Sequence, residues 1–278
     1  MKKLNRKLIP AFAMLLLSAV LMSTASFAWF TSNGSVAADG INITATAPAA
    51  LWIADESTDA FDTAVTLKAA TAAKTGMYPV TQKPDTNTKD NDQWNFWRLK
   101  SDSYSKITDQ GVIEGGINYD TDLEAAKDGD FIKEDIYLKL EGTKVVTDGE
   151  LDEEKSEIMK IGVKVQITEP TNAVGDVDLI YKSIKIAVVT SANTSEKETG
   201  ATTDICSTNG SYVFQPKNFE QTAAQYLFDL VAQETVKVTI YVWFEGEDEF
   251  CKNANAMDLE SFGIELAFEE YVPAQNQG

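Results

Sequence analysis

The chain has no histidine. That one absence removes the usual zinc hydrolase site, a Ser-His-Asp triad and a Cys-His pair. Basic residues are scarce, 24 Lys and Arg against 43 Asp and Glu, for a formal net charge of −19. Such a surface repels nucleic acid and anionic lipid and keeps an apolar-cored protein soluble. Cysteine is limited to Cys206 and Cys251. After residue 30 no run is long or apolar enough to cross a bilayer. The end, Tyr271 to Gly278, shows no sortase-type motif, hydrophobic tail or basic stop, so no covalent tether is expected. No nucleophile-elbow or Ser-x-x-Lys constellation stands out. Glycoside hydrolysis needs only two carboxylates, and 43 acids single out no pair. The expectation is a protein that is not an enzyme, with no catalytic and no cofactor-binding residue.

What is there begins at the N-terminus. Lys2, Lys3, Arg6 and Lys7 form a short basic head without an acid. An apolar run follows from Leu8 to Met22, closed by Ser23, Thr24, Ala25, Ser26 and Ala28. Basic, apolar, then small at minus three (Ser26) and minus one (Ala28) is the pattern of a secretory signal peptide. The expected cut lies between Ala28 and Trp29, with 1–28 a helical signal peptide. It would take the net charge from −19 to −23, because four basic residues leave. The competing reading is an uncleaved anchor over Leu8 to Phe30, just long enough to span. Pro10 and the small polar exit oppose it. Membrane contact is expected only through this segment. In an exported protein, Cys206 and Cys251 suggest one disulfide, which closes a loop and stabilises by roughly 4 kcal/mol. The alternative is two separate buried thiols.

Alternation with period two dominates the rest. Ile41, Ile43, Ala45 and Ala47 share one face of a first strand. Ile136, Leu138 and Leu140 repeat the pattern, as do Ile161, Val163, Val165 and Ile167. So do Ile184, Ile186 and Val188, then Val236 to Phe244, then Phe262 to Phe268. One apolar and one mostly polar face per strand predicts antiparallel sheets packed on one side. Two such sheets make a β-sandwich. The expected fold is therefore mainly β, an antiparallel sandwich over 29–278 with one or two peripheral helices. Asn218 as cap, with Phe219, Ala223, Tyr226, Leu227 and Leu230 at helical spacing, predicts one helix. A helical turn around Leu123 to Lys127 is the second. The irregular stretch at about 55–124 is expected to elaborate the single domain.

Trp94, Phe96 and Trp97 raise a sugar-stacking platform, against a plain reading as core. Tyr241 and Trp243 lie on the polar face of a buried strand; they either pack under the elaboration or mark an assembly surface. Asp90-Asn91-Asp92, Asp128-Gly129-Asp130 and Glu245 to Glu249 carry oxygen ligands of calcium type. None matches the twelve-residue calcium loop, so they read as solvated turn acids. Calcium is the sole ion these acids raise, and no metal ligand is assigned.

The stretch Thr24-Ala25-Ser26-Phe27-Ala28-Trp29-Phe30-Thr31-Ser32-Asn33, continuing through Val36-Ala37-Ala38-Asp39-Gly40-Ile41-Asn42-Ile43, resembles the camelysin/TasA group of exported Gram-positive proteins with SipW-dependent signal peptides. Val242 to Cys251 looks like the segment that precedes the last strand in such proteins. The likeness is specific over residues 1 to about 50 and loose beyond. It implies a dedicated signal peptidase as partner, a jelly-roll-like body, and a secreted product at the cell surface or in a biofilm matrix. It also implies fibres, in which Trp29, Phe30, Ile41 and Ile43 of a freed segment add a strand to the next subunit. The alternative is that Trp29 to Ile43 folds into its own domain as an ordinary first strand. Camelysin itself is assigned as a metallopeptidase; this chain has neither His-Glu-x-x-His nor any histidine, so that activity does not transfer. The expected function is a surface or matrix structural protein that self-associates. The runner-up is a monomeric adhesion or carbohydrate-binding module meeting cell-wall or matrix polysaccharide.

Overall fold

The computed structural model describes residues 42–48, 50–56, 60–68, 77–82, 96–100, 118, 120–127, 129–147, 149–154, 156–168, 180–190, 211–215, 219–248, 250–251 and 263–273. The fold is mainly β, as the alternation predicts. Five strands form the first sheet: β1 (Asn42–Thr46), β3 (Ala64–Lys68), β10 (Ile158–Ile167), β13 (Gln225–Val231) and β15 (Gly263–Glu270). Their order is β13-β10-β15-β1-β3. Five more form the second: β2 (Leu51–Ala54), β7 (Ile132–Leu140), β11 (Ile184–Thr190), β12 (Ser211–Phe214) and β14 (Thr235–Phe244). Their order is β12-β11-β14-β7-β2. A small sheet of β4 (Val80–Gln82), β5 (Phe96–Leu99) and β6 (Leu123–Ala125) and a ribbon of β8 (Val146–Thr147) and β9 (Glu150–Leu151) complete the set.

The inward residues of the two five-stranded sheets meet in one core. From β10 come Ile161, Val163, Val165 and Ile167; from β14, Val238, Ile240, Val242 and Phe244. Ile264, Leu266 and Phe268 of β15 join Ile136, Leu138 and Leu140 of β7. Each fully buried side chain of this size contributes about 1.5–3 kcal/mol of transfer free energy. That sum over one continuous core is what holds the two sheets face to face.

Four expectations need correction. The expected helix is not formed over its described residues: Phe219 to Ala224 is irregular and Gln225–Val231 is strand β13, while its expected cap, Asn218, lies outside the described residues. Tyr226 and Leu230 fit the helical spacing while Phe228 and Leu230 fit a period of two, and pairing with β10 decides between them. A bulge at Ile161/Gly162 leaves Leu227 extra, so both Leu227 and Phe228 reach the core. Thr222 also locks onto β10, donating to Val165 O (2.9 Å) and accepting from Val165 N (3.0 Å). The turn around Leu123 to Lys127 is likewise strand β6, fixed by its ladder to β5. Among the described residues the only helical piece is a 3-10 turn at Ile180–Ser183.

The third correction is the span of the elaboration. Within the expected stretch 55–124, β3 is a strand of the sandwich itself, with Leu67 buried and Val65 packed against the core. The fourth concerns strand direction. β1 pairs antiparallel with β3 but parallel with β15. Period-two patterning fixes which face is buried, not the direction of the neighbour.

Candidate functional site

β1 sits inside its sheet, flanked by β15 and β3. Ile43 and Ala45 have no exposed surface and belong to the chain's own core. Ile43 is therefore seated as a first strand, the second of the two readings above. Ala28, Trp29, Phe30 and Ile41 lie outside the described residues. Asn42 is opposite Gly263 on one side and Lys68 on the other, so the preceding chain enters where β15 begins and β3 ends. Gly263 N donates to Thr168 Oγ1 at 2.6 Å there, and a Cβ on Gly263 would meet that oxygen at 2.4 Å. β3 is the outermost strand of the sheet, and among the described residues no strand pairs with its far edge. Ala64 and Thr66 on it are exposed.

Cys251 carries a free thiol and is fully buried. Burial pushes its pKa well up; a hydrogen bond with Ser183 pulls the other way, and the charges of Glu245 and Asp248 add to the rise. Such a thiol is inert as a nucleophile. Cys206, its expected bridge partner, lies outside the described residues.

The aromatic residues on the outer face of β14 are covered. Tyr241 and Trp243 pack under the small sheet, 8% and 1% exposed. Phe96 stacks on Phe131 (4.4 Å between centroids) and meets Trp243 edge-on at 5.1 Å. Phe96 is thus core, Trp97 on the opposite side of β5 is half-buried, and Trp94 lies outside the described residues. Two acids read from sequence as solvated are buried as well. Glu245 pairs with Lys185 at 2.9 Å and accepts from Trp243 Nε1 at 3.2 Å. Asp130 accepts from Lys127 N at 2.6 Å and lies 3.5 Å from Arg98. Asp130, through Arg98 of β5, ties the small sheet to the turn ahead of β7, whereas Glu245 braces the ends of β11 and β14. Among the described residues no three acids or cysteines gather as a metal site; Asp90 to Asp92 lie outside them.

An open cleft of about 380 Å³ lies at the other end of the second sheet. Its walls come from three elements far apart in sequence. Trp52 is on the outward face of β2, opposite Lys139 of β7. Trp52 Nε1 donates to Glu141 Oε2 at 3.1 Å, which fixes the indole. Lys139 Nζ stands 5.8 Å from the centre of the Phe61 ring. Gln233 closes the cleft from the turn between β13 and β14, where the chain crosses from one sheet to the other. Glu234 N donates to Val231 O at 3.1 Å to close that turn. Gln233 has φ 65°, the left-handed region that favours glycine or asparagine. Its Nε2 donates to Gly142 O at 3.2 Å.

The alternation of the chain gives no sign of this cleft. Trp52 between buried Leu51 and Ile53 was the available signal: a large aromatic on the outward side of a short strand. No family model matches the chain, and neither does any curated protein or solved structure. Among the described residues no helix is long and apolar enough to cross a membrane.

Proposed function

We propose that this chain is an exported structural protein of the cell surface or extracellular matrix, and that its copies associate by strand addition. The donor is the segment from Trp29 to Ile41, released by cleavage at Ala28. The acceptor is the open edge of β3 in the next copy. The observation that carries the reading is the position of β3 beside β1. The donor leaves β1 at the corner where β3 ends, so one sheet can continue from copy to copy.

The physical argument is local. An edge strand presents unpaired backbone N–H and C=O groups, a template for another chain. An added strand gains those hydrogen bonds and seats alternate side chains. Trp29 and Phe30 are suited to an apolar plug at the tip. Ile43 is not part of the donor in this reading, because it is committed to its own core. It anchors the segment instead. Holding Ala28-Trp29 intact would keep the donor at the membrane, which makes processing the trigger.

Negative-stain electron microscopy of the chain beginning at Trp29 tests the proposal. Filaments are expected, and Trp29→Ser with Phe30→Ser should shorten or abolish them. An uncut Ala28→Leu precursor should not polymerise. A Trp29-initiated chain that stays free of filaments at high concentration would sink the reading.

A further inference from the structure

We propose that the cleft between β2, the end of β7 and the β13–β14 turn binds a neutral carbohydrate, with Trp52 as the stacking surface and Glu141 and Gln233 as hydrogen-bonding groups. The inference stands on the cleft alone and does not rest on strand addition.

A sugar ring has an apolar C–H face and a rim of hydroxyls that both donate and accept. The cleft offers a counterpart to each. Trp52 supplies a large aromatic surface, held in one orientation by its bond to Glu141. Preorganisation of this kind lowers the ordering cost of binding. Around it Glu141 accepts, Lys139 donates and the Gln233 amide does both. A volume of about 380 Å³ lies within the range of small-ligand sites. Charge narrows the class. At −19 overall the chain repels phosphorylated and uronic polymers, leaving a neutral sugar.

Gln233 supplies a second, independent pointer. Its backbone sits where glycine is at ease and other residues are strained. Strained residues of this kind gather at ligand sites. The turn itself needs only the backbone: Gln233 N donates to Leu140 O at 2.9 Å whatever the side chain. Among the described residues the amide bonds only Gly142 O, through its nitrogen, which leaves its oxygen for a ligand hydroxyl.

The test uses the chain from Trp29 onward, which contains every described residue. An array of neutral gluco-, manno-, galacto- and N-acetylglucosamine oligosaccharides, beside uronic and phosphorylated ones, finds the class. Calorimetric titration with the best neutral oligosaccharide then measures affinity. Trp52→Ala should weaken binding by roughly tenfold or more. Trp52→Phe, which keeps a ring and loses the N–H, should fall between. Gln233→Gly is the separating variant: it should match or exceed the parent's melting temperature while binding several-fold more weakly. The proposal is overturned by no retention of any neutral glycan or by retention of charged glycans alone. It is equally overturned by affinity that survives both Trp52→Ala and Gln233→Gly.

Discussion

The outer face of the second sheet has two ends, and they carry similar residues to different ends. At one, Tyr241 and Trp243 point outward from β14 and are roofed by Phe96 and Phe131. At the other, Trp52 points outward from β2 and lines an open cleft beside Phe61. Both sets occupy the non-core side of the same sheet. What separates them is the small sheet β4-β5-β6, which lies over one end and not the other. An outward aromatic is therefore structural or available according to what the rest of the chain places above it.

Breaking the covered end should cost most. Trp243→Ala removes a fully buried indole and with it the N–H that Glu245 Oε2 accepts. A loss of about 3–5 kcal/mol is expected in chemical denaturation. Trp52→Ala at the open end should cost less, about 1–2 kcal/mol, since its side chain is only partly buried. Equal costs would mean that the two ends do not differ as described.

The acids of this face sharpen the comparison through pH. Burial raises the pKa of Asp130 at the covered end, and the Lys127 N–H and the Arg98 charge only partly offset it. Its contribution to stability is fully present below the ordinary carboxylate pKa and is lost as pH rises through the raised folded value. Asp135, half-buried in the middle of the face, differs. Burial pushes its pKa up, but hydrogen bonds from Lys237 and Thr239 and the charges of Lys237 and Lys133 outweigh it and hold it low. That contribution is present above the ordinary value of 3.8 and is lost as pH falls through the lowered folded value. Comparing Asp130→Asn and Asp135→Asn with the parent from pH 3 to pH 7 should give slopes of opposite sign. The Asp135 effect should stay below about 1 kcal/mol, because the pair is partly solvated. Slopes of one sign would contradict the assignment.

Much of this architecture was legible. The strands from Ile161 to Ile167 and from Val236 to Phe244 show their buried faces in plain alternation, and those faces form the core. Other features were not, for physical reasons. Phe219 to Leu230 fits two periods, and only the ladder to β10 selects strand. β3 is five residues in a polar stretch, too short for its Val65 and Leu67 to announce a pattern. The parallel pairing of β1 with β15 joins the two ends of the chain, and alternation carries no information on partners. The cleft was hidden because Trp52 and Glu141 stand 89 positions apart and Gln233 is further still. A glutamine also gives no local sign that its backbone turns left-handed.

In the proposed assembly the segment ahead of β1 links copies while β1 stays in its own sheet. Sedimentation velocity across a concentration series measures this directly, on the chain starting at Trp29 beside one starting at Asp39. Both contain every described strand, so equal β content by circular dichroism is the control. Large, concentration-dependent species are expected for the first and a monomer for the second. Two monomers, or two assemblies of the same size, would contradict that expectation.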